Sequence, residues 1–364
     1  MVRVTGNFTS QSPLHPAANA VIGDAFSQGW ADPGKIGDQS ARTSILRREA
    51  LESLANNLAL EPSEIEVIGE PRLGQHLAIS GLLKANSRLI HSKVDRKSIF
   101  AIAKVHSEHG GTVQVLPVNQ AGQISAGEIT ASQIDGADSV LALQGANIET
   151  GITQSIQDLI QAINPTQVAL DYTASPSIKL PSRWDAAIFD ATSWQGPAGI
   201  GILAIRNSKA WKNPLPNLGA RRTPESSSLP LLLASAVALD AWLVDEKTES
   251  VRLSELNRLI RSELTEAAIG ITFAGTASDS LPQTIALTAD GCVGEDLVRQ
   301  LNELGFVLDS GSACTSEQMQ PSHVLAALGL KSEGNLRITL HHGVSEKEVR
   351  ELITAITSVV QKSR

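Results

Sequence analysis

Short apolar segments rich in β-branched residues recur along the first two-thirds of the sequence, each bounded by Gly, Pro, Asn or Asp. Between them lie stretches with helical periodicity, such as residues 44–60, where Leu51, Leu54 and Leu58 fall on one helical face. Apolar strands that alternate with helices are typical of parallel βαβ units covered on both faces. We therefore predict one large α/β domain whose strands are IEVIG, RLIHS, TVQVLPV, SVLALQG, VALDYT, DAAIFDA and GIGILAI.

The pattern changes after a long apolar-periodic stretch that begins at Leu229. Four further strand-like segments follow, ITFAG, TIALT, GFVLDS and LRITLHH, interleaved with two helices and closed by a last helix with the capping box Ser345-x-x-Glu348. A chain of 364 residues also exceeds the size at which a single hydrophobic core stops growing. We predict a large α/β domain over residues 14–240 and a smaller α+β domain formed by residues 1–13 and 241–364.

Composition narrows the class of protein. The chain is 42% hydrophobic and 19% charged, with no unbroken apolar run long enough to cross a bilayer. Its net charge of −8 is spread along the sequence and no basic stripe is present, which argues against nucleic acid as a ligand. The first residues lack the pattern of a secretory signal. We interpret the protein as cytoplasmic, with neither membrane nor nucleic-acid partners.

Two cysteines are present, Cys292 and Cys314, and neither belongs to a CxxC pair. A disulfide framework and a thiolate metal site are therefore both disfavoured, and no metal site is predicted. Cys314 lies in the run SGSACTS, whose small residues favour an exposed loop where a thiol can act as a nucleophile or carry sulfur. The alternative is a small buried cysteine, which is our interpretation of Cys292.

The run SGSACTS, followed by PSHVLAALGL and LRITLHH, resembles the active-site loop, following helix and carboxylate-binding strand of cysteine desulfurases. Those enzymes use pyridoxal phosphate (PLP) and have the class V aminotransferase fold. WADPGKIG, QGANIETGITQ, ALDYTAS and GPAGIGILAIR extend the resemblance over nearly the whole chain. It implies the PLP-dependent transferase fold type I, an α/β fold whose large domain has a mostly parallel seven-stranded sheet and whose smaller α+β C-terminal domain carries the Cys314 loop.

The resemblance also implies roles for four residues. Asp171 matches the carboxylate that pairs with the pyridine nitrogen of the cofactor, although a helix N-cap is its alternative reading. Asn147 matches an asparagine near the cofactor ring and the substrate. Arg337 matches the arginine that forks onto the substrate carboxylate. Cys314 matches the nucleophile that attacks the substrate sulfur and keeps it as a persulfide.

Other matched positions depart from the family. The His-Lys pair that carries the Schiff-base lysine corresponds to Thr192 and Ser193, and a hydroxyl forms no Schiff base. In the phosphate-binding turn, Glu70 places a negative charge at a helix N-terminus and Pro71 removes an amide donor, although Arg72 could bind phosphate instead.

Three more positions point the same way. Arg96 stands where the family has a ring-stacking histidine, Ala174 replaces a glutamine, and Asp190 replaces a phosphate-contacting serine. The added negative charge repels a phosphate dianion. The expected cofactor content is therefore none, or weakly bound PLP.

These residues favour a degenerate cysteine desulfurase-like protein, impaired or inactive in PLP chemistry, in which Cys314 carries a persulfide for transfer to an acceptor protein. One alternative is a non-catalytic subunit that pairs with an active cysteine desulfurase paralogue, with residues 221–228 as a loose match to the loop that crosses between subunits. Another is residual desulfurase or aminotransferase activity, with noncovalent PLP or with Lys179 as a substitute lysine. A cavity that binds a small anion through Arg72, Arg96 and Arg337 is also open, surface positions being the simpler reading for these arginines. The assembly is expected to be a homodimer or a heterodimer with such a paralogue.

Overall fold

The computed structural model describes residues 6–125, 138–176, 179–216, 228–310 and 322–363. Within these ranges no helix has the length and apolar character needed to span a bilayer. The α-helices are α1 (Pro16–Gln28), α2 (Asp38–Asn57), α3 (Pro71–Ser80), α4 (Lys97–Glu108), α5 (Ile156–Ile163), α6 (Leu229–Glu266), α7 (Gly294–Glu303), α8 (His323–Ala327) and α9 (Glu346–Lys362), with short 3-10 helices at Pro62–Glu64 and Ala191–Trp194.

Within the described ranges the strands form three sheets, and the largest contains all seven segments predicted for the large domain. The strands are β1 (Gly6–Phe8), β2 (Ile65–Ile68), β3 (Arg88–Ser92), β4 (Thr112–Leu116), β5 (Ser139–Gln144), β6 (Gln167–Asp171), β7 (Ala186–Asp190), β8 (Gly201–Ile205), β9 (Ile271–Phe273), β10 (Thr284–Ala289), β11 (Phe306–Leu308) and β12 (Asn335–Thr339). The seven-stranded sheet has the order β2-β8-β7-β6-β5-β3-β4. Only β8 runs antiparallel to its neighbours, so the predicted mostly parallel seven-stranded sheet is confirmed.

Helices cover both faces of this sheet. Successive side chains of a strand point to opposite faces, and here the side chains on both faces are apolar and pack against helices. Leu141 and Leu143 of β5 belong to a core that includes residues of α2, α5 and α6. Val140 and Ala142 of the same strand belong to a second core with residues of α3 and α4. All six residues of β5 are buried, which explains why the strand reads as a continuous apolar run rather than an alternating one.

A separate core lies around the antiparallel sheet β12-β10-β9 and the parallel pair β1-β11. The 38-residue helix α6 contributes to both parts of the fold: Leu232 and Leu239 pack in the large-sheet core, whereas Ile260 and Leu264 pack in this one. The predicted domain boundary at residue 240 therefore falls inside one continuous helix, and the division itself stays a prediction. Cys292 is buried in this core, as interpreted from the sequence.

The parallel strands bring polar residues to one edge of the large sheet. β3, β5, β6 and β7 run in the same direction and end at Ser92, Gln144, Asp171 and Asp190. Ligands of open α/β sheets bind outside the carboxyl ends of the strands. The carboxyl edge is therefore where a functional site is expected.

Candidate active site

The carboxylate of Asp171 is buried at the end of β6 and is fully engaged by neighbouring side chains. Its Oδ2 accepts from Gln75 Nε2 at 2.6 Å and lies 3.2 Å from Arg96 Nε. Its Oδ1 accepts from the backbone N–H and the hydroxyl of Thr173, at 2.9 and 2.5 Å. The contacts of Asp171 thus include one guanidinium, one amide and one hydroxyl group, and both oxygens are used.

Arg96 precedes the first residue of α4, and its guanidinium bridges two of these groups. Besides Asp171, it donates through Nη2 to the hydroxyl of Thr173. Gln75 is held in turn by Ser98, which donates to its side-chain oxygen. The result is a closed hydrogen-bonded network of Asp171, Arg96, Thr173, Gln75 and Ser98, and we call it the Asp171 network.

Two more carboxylates lie near this network. Burial raises the pKa of Asp190, with a smaller contribution from the charge of Asp171, although a hydrogen bond from Thr192 and the guanidinium of Arg96 oppose it. Burial likewise raises the pKa of Asp95, despite hydrogen bonds from His91 and Ser92. The carboxyl edge therefore holds three carboxyl groups, and burial favours the neutral forms of Asp95 and Asp190.

The turn that contains Thr192 and Ser193 is a short 3-10 helix, Ala191–Trp194. Ser193 Oγ donates to the backbone carbonyl of Asp190 at 2.8 Å, while the Asp190 carboxylate accepts from the backbone N–H of Thr192 at 3.0 Å. Trp194 is completely buried, and its indole N–H donates to the Ser235 carbonyl of α6 at 3.1 Å. The turn is anchored to α6 by the tryptophan, and it presents a hydroxyl rather than an amine.

The N-terminus of α3 corresponds to the predicted phosphate-binding turn, and an internal carboxylate already caps it. Glu70 is the N-cap residue, and its Oε1 accepts from the backbone N–H of Arg72 at 3.0 Å. Pro71 occupies the first helical position, where it supplies no N–H. The helix end that binds anions in other α/β proteins is therefore neutralised by its own side chain.

Arg337 lies in β12 and pairs with Asp309. Its Nη2 donates to Asp309 Oδ2 at 2.7 Å and to Ser10 Oγ at 3.0 Å, and Nη1 contacts the Ile148 carbonyl at 3.4 Å. Burial alone would raise the pKa of Asp309, but the charge and hydrogen bond of Arg337, together with Ser10, outweigh burial and lower it. Arg337 Nε is buried and has no partner among the described residues.

Asn147 is buried in the turn after β5. Its amide nitrogen donates to the Val94 carbonyl at 2.8 Å, and its oxygen accepts from the backbone N–H groups of Glu149 and Thr150, both at 2.9 Å. It also borders a cavity at this edge. These bonds give Asn147 a structural role in the turn, and its predicted role toward a substrate stays a prediction.

Three further predictions concern the Cys314 and crossing loops, the substitute lysine Lys179, and an anion site formed by three arginines. Cys314 and residues 221–227 lie outside the described residues. Lys179 is exposed. The hypothesis of one anion site formed by three arginines finds no support in the contacts, because Arg96 and Arg337 pair with different carboxylates and Arg72 is exposed.

A cavity of about 180 Å³ lies where the carboxyl edge meets the smaller core, lined by Asn147, Ser193, Trp242 and other residues. Three of its lining residues, His15, Asp245 and His342, form a cluster that the sequence analysis missed. They come from the start of α1, the middle of α6 and the loop after β12. Of the three residues, only His342 had a signal in the sequence: the doublet His341-His342 at the end of the predicted strand LRITLHH.

Comparison with known proteins identifies the class. Residues 72–229 match the family Aminotransferase class-V. The fold superposes on a NifS-like protein with a TM-score of 0.87 at 20% identity, covering 99% of this chain and 100% of that one. A cysteine desulfurase from Thermococcus onnurineus, in its apo form, gives a TM-score of 0.83 at 15% identity, covering 98% of this chain and 94% of that one. The predicted class V aminotransferase fold is confirmed.

The matches found by sequence cover somewhat less of this chain than the matches found by structure. A cysteine desulfurase from Nostoc sp. is 26% identical over 332 residues, which are 87% of this chain and 82% of that protein. An IscS-like cysteine desulfurase from Mycobacterium tuberculosis is 27% identical over 382 aligned residues, covering 97% of this chain and 95% of that protein. The protein is cysteine desulfurase-like.

PLP, the cofactor of this family, can be tested against the residues present. The cofactor needs a carboxylate for its ring nitrogen, a lysine amine and a cradle of N–H donors for its phosphate. Here the oxygens of Asp171 are engaged by Arg96, Gln75 and Thr173, and Glu70 caps the N-terminus of α3. As arranged, the described residues at this edge do not fit PLP.

Proposed function

We propose that this cysteine desulfurase-like protein does not use PLP and that it carries sulfur on Cys314. The observation that carries the first part is the Asp171 network. A protonated pyridine nitrogen and an arginine guanidinium are both cations that pair with a carboxylate. In the proposal the guanidinium of Arg96 replaces the protonated ring nitrogen of the cofactor as the cation that pairs with Asp171. The carboxylate is then compensated without a cofactor.

Ser193 supports the same conclusion. The resemblance aligns this residue with the Schiff-base lysine, and its hydroxyl is used within its own turn, on the carbonyl of Asp190. Serine has no amine at this position. It can therefore neither form the covalent bond to the cofactor nor perform the proton transfer that the lysine performs.

The sulfur-carrying step needs no cofactor. The Cys314 thiolate attacks the outer sulfur of a donor persulfide, R–S–SH, forming a new S–S bond to Cys314 while the donor's S–S bond breaks and the thiolate R–S⁻ leaves. One persulfide is exchanged for another, so no oxidant or reductant is consumed. The same step in reverse delivers the sulfur to an acceptor thiol, which we propose belongs to a partner protein.

The test of the first part is a titration of the full-length protein with PLP, followed by visible absorbance, borohydride reduction and peptide mapping. We expect no saturable band, scattered reduction at surface lysines, and no alanine or sulfide from cysteine. The Ser193→Lys variant alone is expected to give the same results as the wild type, because Arg96 still pairs with the Asp171 carboxylate. The double variant Ser193→Lys with Arg96→His is the matched comparison, since it restores the amine and removes the competing cation.

Contrary results are easy to distinguish. A stoichiometric adduct on one lysine, Lys179 included, or one tightly held PLP per chain with turnover of cysteine, would show that residual PLP activity is the correct function.

The second part of the proposal, sulfur on Cys314, has its own test. The protein is incubated with a low-molecular-weight persulfide and the sulfur is located by mass spectrometry. We expect it on the Cys314 peptide and not on the peptide of the buried Cys292; absence from both would contradict the sulfur-carrying role.

A second candidate is a non-catalytic subunit of an active cysteine desulfurase. Large apolar side chains are exposed along one stretch from α1 to the start of α2: Phe26 at 53%, Trp30 at 71% and Ile36 fully. Phe26 and Trp30 line one surface groove, and exposed apolar patches mark protein contacts. Co-purification of the two chains that is lost in Trp30→Asp would favour this function, and a stable homodimer that ignores the active enzyme would favour self-association instead.

A further inference from the structure

Two imidazoles and one carboxylate converge beside the cavity. His15 Nε2 lies 4.0 Å from Asp245 Oδ2, and His342 Nε2 lies 3.8 Å from the same oxygen. The two imidazole rings are 5.5 Å apart between centroids. One ligand atom from each of the three residues falls within 4.8 Å of the others. Ligands of a tetrahedral ion with bonds of about 2.0–2.2 Å are roughly 3.3–3.6 Å apart, so small side-chain movements close the remaining gap.

His15 provides an independent indication that a ligand belongs here. Its side chain is 5% exposed, and Nε2 is buried without a hydrogen-bond partner among the described residues. The residue is held firmly, because its backbone N–H donates to the Gln195 carbonyl at 2.8 Å. A buried ring nitrogen with no partner is costly, and an ion at this position would satisfy it.

We propose that His15, Asp245 and His342 bind a divalent transition-metal ion, with Zn²⁺ as the best match to the donor set. Two imidazole nitrogens and one carboxylate oxygen are ordinary Zn²⁺ ligands, and a three-residue set leaves a fourth position open. The adjoining cavity of about 180 Å³ has room for water or a small ligand at that position. The site does not depend on the sulfur chemistry of Cys314.

The ring nitrogen of His15 that faces the proposed ion is Nε2, the atom that lies 4.0 Å from Asp245 Oδ2. The Nδ1 of the same ring accepts from the Ala17 N–H at 3.3 Å, which places the ring proton on Nε2 in the free protein. Coordination through Nε2 moves that proton to Nδ1 and breaks this long hydrogen bond, a small loss beside a metal–nitrogen bond.

Two nearby side chains that could compete for the ion are already paired elsewhere. Glu249 pairs with Arg252 at 2.7 Å, and His341 Nε2 contacts the Thr9 carbonyl at 2.7 Å. Competition for the ion from these two side chains is therefore weak. Asp245, shared by both histidines, is the carboxylate that compensates the charge of the ion.

The experiment is a Zn²⁺ titration of the untagged full-length protein against a chromophoric chelator, repeated in Cys314→Ser to remove a reactive thiol. We expect one tightly bound ion per chain in both proteins. Asp245→Asn and His342→Asn should each weaken binding by at least the roughly 10–100-fold that loss of even an outer-shell partner costs. His342 is partly exposed, so its replacement should leave folding intact.

His109→Asn is the matched control, because it removes an exposed histidine whose ring contacts the Val105 carbonyl of its own helix. It should bind Zn²⁺ like the wild type. The proposal is overturned by a wild-type protein that does not compete with a micromolar chelator. It is equally overturned by Asp245→Asn and His342→Asn variants that retain wild-type affinity, or by loss of the ion in Cys314→Ser.

Discussion

Arg96→Met should lower the free energy of unfolding by about 3 kcal/mol, since removing one partner of a buried ion pair costs roughly 3–5 kcal/mol. The side chain of Asp171 is 10% exposed and that of Arg96 is 21% exposed, which places the effect near the lower end of this range. The loss arises mainly from the Asp171 carboxylate, which keeps Gln75 and Thr173 as hydrogen-bond donors but has no compensating charge. Chemical denaturation followed by circular dichroism measures it.

Two further variants make the result specific. Arg299→Met removes an exposed ion pair with Asp296, whose expected contribution is about 0–1 kcal/mol. The double variant Arg96→Met with Asp171→Asn should recover much of the lost stability, because it removes the unpaired charge together with its partner. If Arg96→Met and Arg299→Met proved equally mild, the Asp171 network would not be the structural replacement for a cofactor that we infer.

Trp194→Ala should cost about 3–5 kcal/mol, the usual range for deleting a large aromatic side chain from a core. Trp194 is completely buried between the Ala191–Trp194 turn and α6, and it is the residue that follows Ser193. Its loss leaves a cavity and an unpaired Ser235 carbonyl. Thermal unfolding measured by calorimetry gives the change.

The matched control is Trp30→Ala, because Trp30 is 71% exposed and its removal should change stability by no more than about 0.5 kcal/mol. Trp194→Phe separates packing from hydrogen bonding: it keeps most of the buried area and should lose only the roughly 1 kcal/mol of one hydrogen bond. A Trp194→Ala variant as stable as Trp30→Ala would mean that the turn bearing Ser193 is not anchored through α6.

The strands of the large sheet were predictable because their signal is local. β5 and β6 are buried on both faces, so the inner residues of both strands, 140–143 and 168–170, are all apolar, and polar residues stand at the strand ends. The capping box of α9 is equally local: Ser345 and Glu348 exchange hydrogen bonds across one turn. Such features need no knowledge of the rest of the chain.

The use of the candidate site residues was not predictable in this way. By resemblance, Asp171 and Arg96 were matched to positions near the cofactor of the family, yet nothing local indicates that the two side chains pair with each other. Gln75, which completes the carboxylate's contacts, lies in α3 and comes close only because β6 and α3 pack together in the fold. Asp309 was similarly missed as the partner of Arg337.

The amino-acid sequence by itself determined the class of fold, the order of the strands along the chain, the burial of Cys292 and the presence of a hydroxyl at position 193, because each follows from residue type and short-range periodicity. Only the tertiary structure decided which charged and imidazole side chains lie in contact. It brings His15, Asp245 and His342 from three distant segments to one cavity and directs Arg96 onto Asp171. Electrostatic and coordination contacts act over a few ångströms in space, and separation along the chain carries no information about that distance.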